Sequence, residues 1–212
     1  MIEAFAKQPM YYLSAFAQHL ELVLITLAIS IVLASILTFL IMQNEKLTNA
    51  VIQVFSAIYS IPSLALFALL IPFTGLGDLT AIIVLVAYNQ YLLIRNFIAG
   101  LRSVDKSIVE AGRGMGMSRF RLLREVQIPL AMPGIIAGIR LSIISTTGVA
   151  TIAASINAGG LGTVLFSGMR TLNVYKILWG TILSVIIAGG ADLSLKTVEK
   201  KLNKRNAVVS TQ

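Results

Sequence analysis

The 212-residue chain has no cysteine. That excludes a disulfide framework, a thiolate zinc site and a cysteine nucleophile, and it leaves no sign of the redox compartment. Histidine is nearly absent too. His19 has no second imidazole to share a metal, and it is read here, with Glu21, as an interfacial residue at the outer edge of an apolar run. Charge is scarce: Asp, Glu, Lys and Arg make up 12% of the residues, against roughly a quarter in soluble domains. There is no Gly-Lys-Ser/Thr phosphate loop and no GxGxxG, so any ATP the protein uses is bound by another polypeptide. No hydrolytic constellation is visible, so no catalytic residue and no resident metal is assigned. The amino-terminal layout is not that of a cleavable signal, because Glu3 and Lys7 precede Pro9 and the following apolar run is too long.

What remains is apolar. Hydrophobic residues are 57% of the chain and mean hydropathy is +0.86, the composition of an all-α integral membrane protein. Five runs are read as spans, at about 22–42, 51–71, 79–98, 129–154 and 175–195. The first has no charge over Leu22–Met42, enough at 1.5 Å per residue to cross about 30 Å of hydrocarbon. In the second, Pro62 is expected to kink or unwind the helix and free carbonyls for a partner. The third contains Tyr88-Asn89-Gln90-Tyr91, where adjacent amides must face other helices or a pore. The fourth opens at Pro129 and carries Gly134-Ile-Ile-Ala-Gly138, a GxxxG surface suited to close helix approach. Arg140 lies within it. A guanidinium at that depth requires a watery cavity, a carbonyl cluster or a carboxylate. Pathway lining and a structural anchor, to unwound backbone or to a neighbouring subunit, are both open. Ala154 to Gly162 is Gly-rich and read as a gate, a re-entrant turn or an outer loop. Asp192 closes the fifth span near Lys196, and the basic tail 196–212 ends in a polar stretch expected to be unstructured.

The one long polar segment is 102–133, basic and necessarily outside the hydrocarbon. Its pattern predicts a helix from about Asp105 to Met115 ending at Gly116, the residue suited to a left-handed stop. Ser118 then caps a second helix that presents Phe120, Leu123 and Val126 as a stripe. Arg121 and Arg124 fall off the stripe, and Pro129 marks the next boundary. Such a two-helix hairpin is suited to docking on a soluble partner.

Glu110-Ala111-Gly112, then Gly116, then Val126-Gln127-Ile128-Pro129 resembles the EAA loop of permease subunits of bacterial ABC importers. The spacing is intact, while Gly112 replaces an alanine and Val126 and Ile128 are conservative swaps. The resemblance implies the type I, MetI-like permease fold with a coupling loop over 102–128. It implies ATPase-coupling roles for Glu110, Ala111, Gly112, Gly116, Met117, Ser118, Phe120, Arg121, Leu123 and Arg124. It also implies two ATPase subunits that bind the ATP and magnesium, a second permease copy or paralogue, and an extracellular substrate-binding protein. Membrane lipid surrounds the spans, and nucleic acid is not expected as a partner.

Ser60 to Phe73 and the Gly-rich segment resemble the osmoprotectant, quaternary-amine branch, which implies glycine betaine, carnitine or choline as substrate. Asn89-Gln90 and Asn157 depart from that branch. A methionine-type permease shares the five-span plan, and an ATP-independent carrier or channel is the alternative of another class. A structural or assembly protein is disfavoured by Arg140 and the hairpin. Candidate pathway residues are Tyr59, Pro62, Tyr88, Asn89, Gln90, Arg140, Thr146, Thr147 and Asn157. Basic residues gather on one side of five spans: Lys46, seven from Arg95 to Arg124, and five in the tail, with only Lys7, Arg170 and Lys176 opposite. The positive-inside rule then places the N-terminus outside and the C-terminus and the 102–128 loop in the cytoplasm.

Overall fold

The structure, a computed structural model, describes the backbone of residues 2–209 and the side chains of residues 5–200. It is all-helical: α1 (Ile2–Lys7), α2 (Pro9–Ile41), α3 (Glu45–Ser60), α4 (Ser63–Thr74), α5 (Asp78–Arg102), α6 (Lys106–Gly114), α7 (Arg119–Leu122), α8 (Ile128–Ala153), α9 (Leu161–Arg170) and α10 (Val174–Val209). Among the described residues, four stretches are long and apolar enough to cross a bilayer, namely Pro9–Ile41, Asp78–Arg102, Arg119–Ile156 and Val174–Lys200. The pair α3 and α4 reaches that length only jointly, and its two halves meet at 96°.

Of the two outcomes expected at Pro62, a kink or an unwound break, the structure shows the break. The residue before a proline is driven out of the helical region by the ring's Cδ. Ile61 is accordingly extended (φ −71°, ψ 132°), as is Pro62 (φ −56°, ψ 132°), so the chain turns a corner instead of bending. The Ile61 carbonyl freed by the break accepts a hydrogen bond from the Tyr88 hydroxyl of α5.

The most enclosed helix is α5, which packs on α2, α3, α4 and α8. Its upper half contributes Ala81, Val84, Leu85 and Tyr88 to a core with Leu22, Val23 and Leu27 of α2, Phe67 of α4, and Ile143, Ala150 and Ala153 of α8. Its lower half packs Leu93, Ile94, Phe97 and Ile98 against Ala34 and Ile41. By contrast, Leu24, Ile25, Val32, Leu33, Ile36 and Leu40 of α2 face outward, as expected of a helix whose other solvent is lipid. The GxxxG surface of α8 is used inside the chain. A Cβ on Gly134 would lie 2.8 Å from the Gly100 Cα, and one on Gly138 would lie 2.6 Å from the Asn96 Cβ, so only glycine lets α8 and α5 approach this closely.

Further expectations are corrected. His19 is not at the surface: it projects from α2 and is fully buried against α8 and the Gly-rich turn, with Nε2 3.2 Å from the Thr147 carbonyl. The helix that carries the first apolar run, α2, begins at Pro9, ahead of Leu22, and its aromatic segment before His19 packs Tyr12 and Ala15 on α9 and α10. The Gly-rich segment is a short 3₁₀ turn (Ala154–Ile156) followed by left-handed Asn157, Gly159 and Gly160. An unforeseen helix, α9, then follows. It fits because Gly162 has no Cβ: one added there would meet the Thr151 carbonyl oxygen at 1.9 Å. The polar end of the tail, expected to be unstructured beyond Arg205, lies partly within α10, which continues to Val209, and residues 210–212 lie outside the described residues.

Candidate functional site: the 102–128 loop and the open face of the bundle

The loop is built by strong local signals. The Asp105 carboxylate caps α6, accepting from both the backbone N–H and the hydroxyl of Ser107 at 2.8 Å. Those bonds, the backbone one foremost, hold its carboxyl below the usual carboxylate range. At the other end Gly116 is left-handed (φ +78°), Met117 N–H donates to the Gly112 carbonyl at 3.1 Å, and Gly116 N–H donates to the Arg113 carbonyl at 2.9 Å. This pair of bonds is a Schellman stop, and a side chain at Gly116 would strain it. The Ser118 hydroxyl accepts from Arg121 N–H and starts α7.

Gly112, the departure from the EAA pattern, has a structural reason. It is buried, and a Cβ there would lie 2.5 Å from Leu122 Cδ1. The α6–α7 contact is made by a leucine on one side and a missing side chain on the other.

From Ser118 onward the structure departs from the sequence reading. Pro129 is no boundary. Leu123–Gln127 form one widened π turn, with Ile128 N–H donating to the Leu123 carbonyl five residues back, and the helix runs on into α8. A proline near the start of α8 is tolerated because its missing N–H falls immediately after that turn. The wider turn also shifts the helix face, so Leu122 and Leu123 are buried while Phe120 is 61% exposed. Phe120 therefore stands apart from the expected packing stripe. It shares the loop surface with Ile108, Met115, Glu110, Ala111, Arg113 and Arg124, all exposed. Arg121 Nε donates to Glu125 at 2.9 Å, Arg119 reaches Gln43 at 3.1 Å, and Arg102 lies 3.9 Å from Glu45. The last two contacts put the loop on the same side of the bundle as the α2–α3 turn.

The remaining candidate residues fall in four separate places. Tyr59, Pro62 and Tyr88 gather at the α3–α4 break. Asn89, Gln90, Thr146 and Thr147 are buried inside the bundle. Asn89 Nδ2 donates to Thr146 Oγ1 at 2.8 Å and to Ser30 Oγ at 3.3 Å, and Gln90 Nε2 donates to the Ser30 carbonyl at 3.3 Å. These bonds join α2, α5 and α8. Asn157 lies at the opposite end from the loop, where it lines a cleft of about 290 Å³ with Gln18, Glu21, Asp78 and Gly159.

Arg140 is the fourth place. Its Nε donates to Asp192 Oδ1 at 2.7 Å and its Nη1 to Glu199 Oε2 at 2.6 Å, two ion pairs that link α8 to α10 within one chain. Glu199 was missed by sequence reading, although a signal existed. Asp192 and Glu199 are seven residues apart and hence on one face of a helix.

Comparisons with known proteins agree with this architecture. The carnitine transport permease OpuCB of Listeria monocytogenes is 39% identical over 89% of this chain and 86% of its own. The glycine betaine/carnitine/choline permease OpuCB of Bacillus subtilis is 36% identical, covering 89% and 87%. The osmoprotectant import permease OsmW of Salmonella typhimurium is 35% identical, covering 92% and 93%. Among solved structures, an inward-facing MetNI methionine ABC transporter superposes with a TM-score of 0.84 at 22% identity, covering 92% of this chain and 98% of the other. Residues 13–207 match the model of one family throughout, and the chain belongs to that family, the inner membrane components of binding-protein-dependent transport systems.

Proposed function

We propose that the chain is the membrane-spanning half of an ATP-driven importer for quaternary amines such as glycine betaine, carnitine or choline. The observation that carries this reading is the pair of relatives named for those compounds at 36–39% identity over about nine-tenths of the chain, with an osmoprotectant permease beside them at 35%. The methionine reading rests on a fold match at 22% identity, which speaks to architecture alone.

In this reading the bent α3–α4 pair completes five spans, the N-terminus is outside, and the 102–128 loop is cytoplasmic. The exposed Met115, Phe120, Arg121 and Arg124 seat in a separate ATPase subunit. The ATPase binds ATP and magnesium, and an external binding protein delivers substrate. Two permeases enclose the path, either two copies of this chain or this chain with a paralogue. Closure of the ATPase pair shifts the balance between inward- and outward-facing states through its different affinity for each. Because α7 continues through the π turn into α8, a push on the loop is transmitted to a span without an intervening hinge.

The test is uptake of labelled glycine betaine, carnitine, choline and methionine by the complete complex in proteoliposomes. Saturable, ATP-dependent uptake of the quaternary amines supports the reading, and uptake of methionine alone sinks it. Charge reversal at Arg121 and Arg124 should leave the ATPase active and abolish uptake. Unchanged uptake would refute the docking role.

A further inference from the structure

The α3–α4 break is lined by tyrosines. The Tyr59 ring lies 5.4 Å from that of Tyr88, edge-on, and 5.2 Å from that of Tyr91, tilted by 36°. Tyr88 is pinned by its hydrogen bond to the Ile61 carbonyl, and the Tyr59 hydroxyl lies 3.5 Å from Ser145 Oγ on α8. Tyr59 and Tyr91 are half-buried, while Ser60 and Pro62 beside them are exposed. Three phenylalanines or leucines would fill the same space without hydroxyls to satisfy in an apolar setting.

A cation already uses this surface. The Arg95 guanidinium lies over the Tyr91 ring, 5.8 Å from its centroid, and Nη1 donates to the Tyr91 hydroxyl at 2.8 Å. Arg95 is one turn from Tyr91 on the loop side, so along α5 the order is Tyr88, Tyr91, Arg95 over about 10 Å. The face thus offers electron-rich rings at one end and a fixed positive charge at the other.

Resting on the substrate class proposed above, we infer that Tyr59 and Tyr91, backed by the buried Tyr88, form a cation–π subsite within the membrane for the trimethylammonium head of a zwitterionic betaine, and that Arg95 receives its carboxylate. Ring faces attract quaternary ammonium groups without a hydrogen bond, which such groups cannot donate. A guanidinium pairs with a carboxylate through two parallel N–H donors. A compound with the cation alone, such as choline, meets the rings but leaves Arg95 unmatched. The arrangement therefore favours glycine betaine or carnitine over choline.

The test uses the assembled transporter, permease with its ATPase and binding protein, in proteoliposomes. Labelled glycine betaine and choline uptake is measured beside ATPase activity stimulated by the loaded binding protein. Losing one ring face on a desolvated cation corresponds to about tenfold. Tyr59→Leu and Tyr91→Leu should each lower uptake by about that factor with stimulated ATPase activity unchanged, while Tyr59→Phe and Tyr91→Phe retain most of it. Arg95→Gln should lower betaine uptake several-fold more than choline uptake. The subsite is overturned if the leucine variants transport normally, if their ATPase activity falls in step with uptake, or if Arg95→Gln affects both compounds equally. A wild-type transporter that takes up neither compound overturns the substrate class itself, an outcome distinct from any result on the variants.

Discussion

Arg140 and Asp192 are 52 residues apart in sequence and joined by a 2.7 Å hydrogen-bonded ion pair, with Glu199 completing the clasp at 2.6 Å. The clasp ties α8, which continues from the 102–128 loop, to the loop-side half of α10. A guanidinium in a lipid-embedded bundle is tolerated only with such partners.

Removing one member of a charged cluster is worse than removing all of it, because the others are left unmatched. Arg140→Ala, which strands two carboxylates, should therefore deplete the protein from the membrane fraction far more than Asp192→Asn, which leaves the Glu199 bond. The swap Arg140→Asp with Asp192→Arg should recover much of the lost protein. Quantitative blotting of membrane fractions reads this order, and equal loss for both single variants would contradict it.

The α5–α8 seam makes a steric prediction. A Cβ on Gly138 would sit 2.6 Å from Asn96 Cβ, an atom fixed close to its own backbone, and one on Gly134 would sit 2.8 Å from Gly100 Cα. Gly134→Ala and Gly138→Ala should each destabilise the bundle by about 1–3 kcal/mol, as overpacking does. Gly148→Ala on the same helix, where nothing lies within 4 Å, should be neutral within about 0.5 kcal/mol. Thermal unfolding of the purified chain in detergent compares the three.

The buried Asn89 is a bracing residue in this geometry, hydrogen-bonded to Thr146 and Ser30. Hydrogen bonds between membrane helices contribute about 0.6 kcal/mol on average and about 1.7 at most. Asn89→Leu should consequently fall within that range in unfolding experiments after allowing for one altered packing contact. A double-mutant cycle with Thr146→Val isolates the bond, and additive losses would show that the two side chains do not couple.

Much of this was legible because the strongest signals are local. Composition and the length of the apolar runs placed the chain in a membrane, and Gly116 ended α6 because no other residue takes φ +78° so freely. Pro62 was legible as a disruption but not as a corner, since the size of the bend depends on the packing of α4 against α5. Pro129 misled for the opposite reason. Its missing N–H is absorbed by the π turn over Leu123–Gln127, which the sequence pattern does not announce. His19 looked interfacial beside Glu21, yet a helix turns 100° per residue, and the two point to different surroundings. The pairing of Arg140 with α10 and the tilted ring contact of Tyr59 with Tyr91 join helices distant in sequence, and no spacing rule reaches across such gaps.

Asp105 supplies a pH dependence outside the membrane. Its carboxyl is held below the ordinary range by the Ser107 N–H and hydroxyl, so the folded loop favours the charged form. The resulting stabilisation of α6 is fully present above the unfolded-state value of about 4. It fades as pH falls through the lower folded-state value. Asparagine caps helices about as well without titrating. Acidification from pH 7 to about pH 3 should then reduce the hydrogen-exchange protection of α6 amides in the wild type more than in Asp105→Asn, while protection in α5 stays equal between them. An identical loss in both proteins would overturn the role of Asp105 in the acid sensitivity of α6.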